Sequence, residues 1–535
     1  MKNLIKVLIL LLFFSIIFAA VPPSCLLAQT SKKNVIFMVM DGTNSDIVTL
    51  ARWYKGSSLA LDEILTGGVR TYSHQSAITD SAAGGTAMAT GFKTDADFIG
   101  MVPDGNSSKP AVSLLEAARL RGYGTGIVAT SPVQHATPAA FSAHVKNRDE
   151  FSDIAEQQVY QGIDVVLGGG LAWLHSDEEK RMANDDGMLK TKESARKDKE
   201  NLLKVIEEKE YHFIEKKSDL DVRGAGKLWG SFASEDMAYD FDRAALLPGQ
   251  PSLAEMTETA INRLNSTGKG FFLFVEGSKV DWAAHKNDPV GMISEVLAFD
   301  KAVGKAVEFA KRDGNTMVIA VTDHGNSGLT IGNVTTDKNY YDQPVGDFVE
   351  PLKKAKLTVK GASSQLKKDR SNLKEVLASY GLDEHTEKEF CRVEKAVTVT
   401  DVEDEMAAML SKRASLGFTT HGHTGEDVFL YAYGPGKPTG LHENTDLAAA
   451  VSEYLGLDIK GLGDWYVDAH EYYTSRGYKT KVDLSDKHNP VFKAEKGGER
   501  LEFPENKNIM IQNGREIELQ AVNVYNGDTF FIHVE

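Results

Sequence analysis

The chain has 535 residues, of which 42% are hydrophobic and 25% are charged, a composition that excludes collagen-like, low-complexity and mostly disordered proteins. Asp and Glu number 76 against 60 for Lys and Arg, so the formal net charge is −16. An acidic balance of this size argues against a nucleic-acid-binding surface, which needs a basic face. A chain of this length has room for one large domain with additions.

The N-terminal residues, 1–29, are predicted to be an export signal. Two lysines precede an apolar run over Val7–Ala20, which is shorter than the ~20 residues of a membrane-spanning helix. We therefore expect cleavage near residue 29, a periplasmic or extracellular protein, and no further transmembrane segment. An uncleaved anchor and a lipoprotein modified at Cys25 are the alternatives. Cleavage would leave Cys391 as the single cysteine, which excludes an internal disulfide.

Six short apolar runs, rich in β-branched and aromatic residues, are predicted to be strands of one sheet. Their apolar residues show little alternation, as expected where helices cover both faces. The runs are Asn34–Met40, Thr125–Ala129, Asp164–Leu167, Phe271–Val275, Met317–Val321 and Val428–Tyr433. Helical patterns lie between them, at Val112–Arg121 and at Ser252–Leu264, which begins with a predicted capping box. This alternation predicts an α/β fold with a large, mostly parallel central sheet flanked by helices.

Two regions are predicted to be additions to a main domain over residues 30–484. Residues from about 331 to 412 are charged and mostly helical in pattern, and we interpret them as a solvated face, with a cover over a site mouth or a subunit interface as alternatives. Residues 485–535 are predicted to form a small antiparallel β unit that serves packing, with surface binding as the alternative. Its turn-forming pairs are Gly497-Gly498, Asn513-Gly514 and Asn526-Gly527.

Polar side chains follow four of the predicted strands at the point where each strand ends. They are Asp41, then His135 and Thr137, then Glu276, Asp281 and His285, and finally Asp323 and His324. Because parallel strands bring their carboxyl ends to one edge, we expect these side chains to gather there. A lone aspartate is usually a helix cap and a lone histidine usually structural, but crowded anions would repel each other without cations. Histidine and aspartate ligands suit zinc, whereas all-oxygen ligands suit magnesium.

Two histidines near the last core strand are candidates to complete one of these sites. Asp281 and His285 are four residues apart and would share a face of a helical turn, where they could hold one ion. Either His421 or His423 could supply the next ligand. A His-Gly-His sequence without such support would more often be a detail of a loop.

Ser81 is the candidate nucleophile. It begins a run of small residues, 81–91, which predicts a tightly packed helix whose free amides and positive dipole end face an anion. The alternative is that Ser81 only caps this helix. A serine alcohol is a poor nucleophile near neutral pH, and a bound divalent ion is one way to activate it.

Six segments, taken together and in this order, resemble the alkaline phosphatase family. They are Val39–Gly42, Thr79–Ala83, Ala136–Ala140, Val275–Asp281, Thr322–His324 and His423–Gly425. The resemblance covers about Lys33 to Leu457, apart from the charged addition. It implies that family's fold and a phosphomonoesterase that acts on phosphate monoesters, releases inorganic phosphate and forms a phosphoserine intermediate. It also implies a homodimer, although monomers occur in the family.

The resemblance implies roles for particular residues. Ser81 would be the nucleophile, and Arg148 would clamp the phosphate. One zinc ion would be held by Asp281, His285 and His423, a second zinc ion by Asp41, Asp323 and His324, and one magnesium ion by Asp41, Thr137 and Glu276. His135 stands where some members have an aspartate, and Trp282 stands where some have a lysine or a histidine. We expect both side chains to lie just behind the metal ligands. We predict that His135 biases the third site toward zinc or a bridging water.

A sulfatase or phosphodiesterase of the same superfamily is the closest alternative function. A sulfatase would need Cys or Ser followed by x-Pro-x-Arg, which Cys391–Glu394 does not provide. Diesterases of the superfamily tend to use threonine as the nucleophile and to lack the arginine that clamps the phosphate, whereas this chain has the candidates Ser81 and Arg148. A non-catalytic, metal-stabilised surface-binding protein is a further alternative, but such a protein has no need of the serine.

Overall fold

The computed structural model describes residues 32–176, 195–221, 224, 226–459, 461–463 and 465–534. The predicted export signal at 1–29, with Cys25, lies outside the described residues. Within these ranges, none of the helices combines the length and the apolar character needed to cross a membrane. Cys391 is a free thiol.

A ten-stranded sheet forms the centre of the fold. In spatial order its strands are Gly440–Glu443, Leu65–Arg70, Val428–Tyr433, Thr316–Val321, Asn34–Met40, Phe271–Gly277, Gly124–Pro132, Val165–Gly169, Leu228–Ser231 and His212–Ile214. Val428–Tyr433 runs antiparallel to both neighbours, and the other pairings are parallel. All six predicted strands are present, and the predicted fold class is confirmed.

Four strands of this sheet were not predicted, and they occupy its two ends. Leu65–Arg70 and Gly440–Glu443 form one end, and Leu228–Ser231 and His212–Ile214 form the other. Most of them are short, partly exposed or rich in glycine. Strands at a sheet edge pack against fewer neighbours, so their sequences need no continuous apolar run.

Helices cover both faces of the sheet and create two cores. Along the central strand Asn34–Met40, Ile36 and Met38 enter one core, and Val35 and Phe37 enter the other. The helices of the main body are Ser45–Lys55, Ser81–Thr90, Leu114–Leu120, Ala136–Ala140, Phe151–Gln161, Leu202–Glu208, Asp240–Leu246, Leu253–Ser266, Lys279–His285, Pro289–Asp313, Asn444–Leu455 and Ala469–Thr474. The predicted capping box of Ser252 and Glu255 is confirmed.

The charged addition is helical, as its pattern predicted. Its helices are Val345–Val349, Val359–Ser364, Leu373–Ser379, Glu387–Lys395 and Val399–Arg413. The buried Asp288 fixes this region to the main body, because its carboxylate accepts hydrogen bonds from the hydroxyl of Tyr380 at 2.6 Å and from the amide of Val359 at 3.0 Å. Asp288 also caps the helix Pro289–Asp313, so one side chain joins the addition to the body.

The C-terminal part contains the predicted antiparallel strands. One sheet holds Lys479–Asp483, Val491–Lys496, Glu499–Pro504, Ile509–Gln512 and Arg515–Glu518, and another holds Tyr466–Asp468, Val524–Tyr525 and Phe530–His533. Asn513 and Gly514 have φ of 52° and 83° and join two adjacent strands, as expected for a tight hairpin. These sheets begin before residue 485, the predicted start of the β unit. Their first strands were not predicted, because Lys479–Asp483 is charged and Tyr466–Asp468 is short, and neither pattern indicates a strand. The division into domains stays a prediction.

The C-terminal unit docks on the helix Phe151–Gln161 through buried polar contacts. The ammonium of Lys507 lies 3.2 Å from Glu156 and 3.0 Å from Glu200. Asn506 accepts a hydrogen bond from Gln157 at 2.9 Å and donates one to Asp153 at 3.1 Å. The unit therefore supports the helix that begins three residues after Arg148.

A buried ion pair stabilises the segment that leads to Arg148. We expect Glu116→Gln to lower the free energy of unfolding by about 1–3 kcal/mol near about pH 6 and by less near about pH 9. Nε2 of His144 lies 2.8 Å from Oε1 of Glu116, and both side chains are buried. Burial opposes charging of both groups, but their contact raises the pKa of His144 above its ordinary 6.5 and lowers that of Glu116 below its ordinary 4.5.

The direction of the pH effect follows from these two shifts. The contribution of His144 is complete below about pH 6.5 and is lost as the pH rises through its raised pKa, while that of Glu116 is complete above about pH 4.5. Denaturant unfolding at both pH values measures the difference. Asp95→Asn, which removes the exposed contact to His74 at 2.7 Å, is the matched control and should change little. An equal loss at both pH values in Glu116→Gln would contradict this account.

Candidate metal and nucleophile site

The structure brings the predicted polar side chains together at the carboxyl edge of the parallel strands. A first cluster consists of Asp41, Asp323 and His324, whose ligand atoms lie within 4.8 Å of one another. Nε2 of His324 is 3.3 Å from Oδ2 of Asp323 and 3.6 Å from Oδ1 of Asp41. Nδ1 of His324 donates to the carbonyl of Gly325, so the lone pair of Nε2 faces the two carboxylates. Three electron-pair donors therefore converge on one point.

A second cluster consists of Asp281, His285 and His423. Nε2 of His285 lies 3.4 Å from Oδ2 of Asp281 and 3.2 Å from Nε2 of His423. Nδ1 of His285 donates to the carbonyl of His421, and Nδ1 of His423 donates to the carbonyl of Thr79, so both Nε2 lone pairs face inward. Of the two candidate histidines, His423 joins the cluster, whereas His421 uses its ring to hold the backbone of His285.

The first two clusters are neighbours. The rings of His324 and His423 are stacked with centroids 3.7 Å apart, and His324 also lies within ligand distance of Asp281 and His423. His423 reaches this position because Asn326 pairs with it in a two-stranded antiparallel ladder. Asn326 also donates to Oδ1 of Asp281 at 2.7 Å and orients that carboxylate.

A third cluster lies behind the first. Asp41, Glu276 and His135 offer ligand atoms within 4.8 Å of one another, and the hydroxyl of Thr137 is 3.4 Å from Oδ2 of Asp41. Oε2 of Glu276 accepts hydrogen bonds from Ser278 at 2.7 Å and from Ser131 at 3.3 Å, which leaves Oε1 directed at the cluster. His135 therefore stands beside the predicted magnesium ligands.

Ser81 faces the first cluster from the start of a helix. Asp80 caps the helix Ser81–Thr90 by accepting from the amide of Ala83, so Ser81 is the first helical residue and not the cap. Its Oγ lies 3.1 Å from Nε2 of His324, and the side chain is buried. The hydroxyl thus points at the convergence of the donors.

Small residues allow these elements to approach closely. Gly42 has a φ of 62°, and a Cβ added there would lie 2.3 Å from Oδ1 of Asp281. A Cβ on Gly85 would lie 3.1 Å from Ala140, on the helix that carries Thr137. The glycines and alanines of the serine helix therefore serve close packing around the site.

Arg148 reaches the same site from a loop. Its Nη1 lies 3.1 Å from Oδ2 of Asp80, and its Nη2 is 3.5 Å from Nε2 of His135. The ring of His135 meets that of Trp282 edge to face at 5.6 Å. Burial, and then the nearby Arg148 guanidinium, lower the pKa of His135 to about 3, so this imidazole is neutral and able to act as an electron-pair donor.

Four buried carboxylates, from Asp41, Glu276, Asp281 and Asp323, share this edge. Burial and the neighbouring carboxylates raise the pKa of Asp41 well above its ordinary value, and burial raises that of Glu276 to about 7. Oδ1 of Asp41, Oε1 of Glu276 and Oδ2 of Asp323 have no hydrogen-bond partner within the described part of the chain. Unpaired buried acceptors beside inward-facing imidazole nitrogens are a donor set that divalent cations fit.

Asp80 was not among the predicted site residues. One oxygen of its carboxylate caps the serine helix, and the other pairs with Arg148, so Asp80 fixes the relative positions of Ser81 and the guanidinium. An aspartate directly before a small-residue helix is a recognisable capping signal. Its second contact crosses 68 residues of sequence and could not be read from the pattern.

Comparison with known proteins identifies the family. The family model described as alkaline phosphatase matches residues 32–457. Alkaline phosphatase 4 of Bacillus subtilis is 37% identical over 444 residues, which cover 79% of this chain and 88% of that protein. The repressible alkaline phosphatase of Saccharomyces cerevisiae is 32% identical over 496 residues, 82% of this chain and 84% of that protein. The alkaline phosphatase structure from Thermus thermophilus gives a TM-score of 0.69 at 27% identity and covers 80% of this chain and 92% of that one. The chain thus belongs to the alkaline phosphatase family, and its family and fold imply a metal-dependent phosphomonoesterase.

Proposed function

We propose that the protein is an exported enzyme that hydrolyses phosphate monoesters through a phosphoserine intermediate at Ser81, with two zinc ions and one magnesium ion. The observation that carries this proposal is the position of Ser81 Oγ, 3.1 Å from His324 in a pocket of unpaired buried ligands. A structural serine would not need to contact the imidazole of a cluster of unpaired buried carboxylates.

The three clusters supply the ligands. Asp281, His285 and His423 would hold one zinc ion, Asp41, Asp323 and His324 the second, and Asp41, Thr137 and Glu276 the magnesium ion. When bound, such ions act as Lewis acids that lower the pKa of a hydroxyl and offset negative charge on reacting oxygens.

The residues of the chain define the course of the reaction. Arg148, held by Asp80, presents two N–H groups that fork onto two phosphate oxygens and fix the ester in front of Ser81. Ser81 Oγ loses its proton to water and bonds to phosphorus, while the bond from phosphorus to the alcohol oxygen breaks and that oxygen takes up a proton. Water then attacks the phosphoserine, phosphate leaves, and the Ser81 hydroxyl is restored. The positive end of the serine helix favours the phosphate in both steps.

Replacing Arg148 by alanine is expected to reduce kcat/KM by about 10- to 100-fold, because a charge-assisted bidentate contact contributes about 1.5–3 kcal/mol. Phosphate should also become a weaker inhibitor by a similar factor. Arg148→Lys keeps the positive charge but cannot form the bidentate contact, so its kcat/KM should lie between those of the wild type and of Arg148→Ala. Steady-state kinetics and phosphate inhibition measure both effects. Arg312→Ala, on an exposed helix surface, is the control. Unchanged phosphate inhibition in Arg148→Ala would exclude the clamp.

The third site is the place where this chain departs from some family members. His135 offers a neutral nitrogen to the cluster of Asp41 and Glu276, and nitrogen ligands favour zinc over magnesium. In a mixture of both metals, zinc should therefore compete with magnesium for this site, and we expect His135→Asp to raise the magnesium content of the purified protein toward one equivalent and to lower its zinc content. Elemental analysis of both proteins, prepared in the same metal mixture, measures this. Identical occupancy would contradict the proposed bias.

One assay distinguishes the proposed function from its alternatives. The purified protein is incubated with a chromogenic phosphate monoester, a phosphate diester and a sulfate ester, before and after chelation. Monoester hydrolysis that zinc restores supports the proposal. Dominant diester or sulfate cleavage would assign the alternative enzyme classes, and absence of turnover with retained metal would assign a binding protein.

We propose export from the sequence of residues 1–29, and sequencing the N-terminus of the exported protein should give a start near residue 30. We also retain the division into a main domain over 30–484 with an insertion at about 331–412 and a C-terminal module over 485–535. A homodimer stays an expectation of the family, to be checked by light scattering.

A further inference from the structure

A groove of about 1380 Å³ opens beside the cluster of Asp281, His285 and His423. It lies between the main body, which contributes Asn287 and His421, and the helices of the charged addition. His421 connects the groove to the cluster, because its Nδ1 donates to the carbonyl of His285 at 2.9 Å and its own carbonyl accepts from Nδ1 of His285 at 2.6 Å. The groove therefore adjoins the proposed catalytic site through His421.

The groove lies on the side of the site from which the leaving alcohol would depart. Ser81 and His324 are buried, whereas the side chain of His285 is 39% exposed. The path from Ser81 through His324 and His423 thus leads outward to His285, which contacts His421 of the groove. In an in-line displacement the leaving oxygen departs opposite the attacking oxygen, so the alcohol would extend toward this exposed end.

The charges of the groove differ from those of the whole protein, whose net charge is −16. Among its basic residues, Lys286 is paired with Asp404 at 3.4 Å, and Arg392 is paired with Glu405 at 3.5 Å. Lys388, Lys395 and Lys412 also line it, are exposed, and make no ion pair with any described residue. The groove is lined by five basic side chains, those of Lys286, Lys388, Arg392, Lys395 and Lys412, and by three acidic ones, those of Asp401, Asp404 and Glu405, so it carries an excess of positive charge.

The groove also has an apolar lining. Val334 and Val397 border it, and their side chains are 83% and 86% exposed. Phe418 adds a half-buried ring. A purely solvated charged face would not need these apolar side chains among the lysines, whereas a binding surface for an amphiphilic alcohol would use both.

We propose that this groove binds the alcohol portion of phosphate monoesters whose apolar chain carries a second anionic group, such as a phosphonate, phosphate or carboxylate. Lys388, Lys395 and Lys412 attract the second anion, and the apolar residues contact the chain that joins it to the ester. This inference rests on the proposed function, since it assumes that the ester is cleaved at Ser81.

The test compares two substrates that each have one scissile ester, hexyl phosphate and 6-phosphonohexyl phosphate. The zinc-loaded full-length protein should show a higher kcat/KM for the phosphonate-bearing substrate at low ionic strength, and added salt should remove this preference. In the triple variant Lys388→Gln, Lys395→Gln, Lys412→Gln, the ratio of the two kcat/KM values should fall by about five- to tenfold. Hydrolysis of hexyl phosphate should stay within about twofold of the wild type.

A matched triple variant controls for net charge. Lys269, Lys437 and Lys481 are exposed and make no ion pair with a described residue. Lys269 precedes the amino end of Phe271–Gly277, and Lys437 follows the antiparallel strand Val428–Tyr433, so both lie at the opposite edge of the sheet. Changing these three to glutamine should leave the ratio unchanged.

Three outcomes would overturn the inference. They are the absence of a preference in the wild type, an unchanged ratio in the groove variant, and an equal fall in the control variant. Each of these outcomes is measured on protein that still hydrolyses hexyl phosphate at its normal rate, so none of them contradicts the proposed function. A wild-type protein that does not hydrolyse hexyl phosphate would overturn the proposed function, and the inference with it.

Discussion

Replacing Ser81 by alanine is expected to reduce kcat by more than about 10⁴-fold, since losing the nucleophile removes both steps of the reaction. The variant should keep its metal content, because the Ser81 hydroxyl contacts His324 but no carboxylate depends on it. Phosphate should still bind, since Arg148 and the helix N-terminus stay in place. Steady-state kinetics, elemental analysis and phosphate titration measure these three properties.

A direct readout is the covalent intermediate. Acid quenching of the wild type with a labelled phosphate monoester should yield label on Ser81, located by mass spectrometry, and none in Ser81→Ala. Ser58→Ala, at an exposed serine far from the site in sequence, is the control and should retain full activity. Substantial turnover by Ser81→Ala, or label on another residue, would refute the assignment of the nucleophile.

Removal of metal is expected to abolish activity and to lower the stability of the fold. Each ion at about 1,000 times its Kd contributes about 4 kcal/mol to the free energy of unfolding. Without ions, the buried carboxylates of Asp41, Glu276, Asp281 and Asp323 repel one another, and one oxygen each of Asp41, Glu276 and Asp323 has no partner among the described residues. Thermal unfolding before and after chelation, with zinc and magnesium added back, measures the loss and its reversal.

The variant Glu276→Gln distinguishes the stabilisation that comes from ion binding from the repulsion among the buried carboxylates. Above about pH 7, where Glu276 is ionised, the neutral amide removes one buried negative charge and can still accept from Ser278 and Ser131. We therefore expect the variant to unfold at a higher temperature than the wild type after chelation, and at a lower temperature when metal is present. The two curves cross because the same charge repels its neighbours in one state and binds a cation in the other.

The control for this crossover is another buried carboxyl group. Burial raises the pKa of Glu295 to about 7, as it does for Glu276, but Glu295 accepts from the backbone of Asp240 at 2.6 Å and belongs to none of the three clusters. Glu295→Gln should shift the unfolding temperature by the same amount with and without metal. A parallel shift in Glu276→Gln would show that this carboxylate does not bind an ion.

The sequence by itself determined the six inner strands of the central sheet and most of the proposed site. Short continuous apolar runs rich in β-branched and aromatic residues, such as Asn34–Met40 and Phe271–Val275, favour strands that are covered on both faces, so their type and position can be predicted from the sequence. The side chains that follow them, Asp41 and Glu276, then meet at one edge, because parallel strands all end there. Asp281 and His285 share a helix face for a similarly local reason.

Only the tertiary structure decided the contacts that join distant segments. The direction of Val428–Tyr433 was not readable, because a strand has the same pattern of side chains whichever way it runs. Its antiparallel placement brings His423, which precedes the strand, to the edge where the parallel strands end. The pairing of Asp80 with Arg148, and the groove beside His285, likewise depend on how elements pack together. Local propensity fixes which elements form, whereas their mutual placement depends on long-range packing that no single stretch of sequence contains.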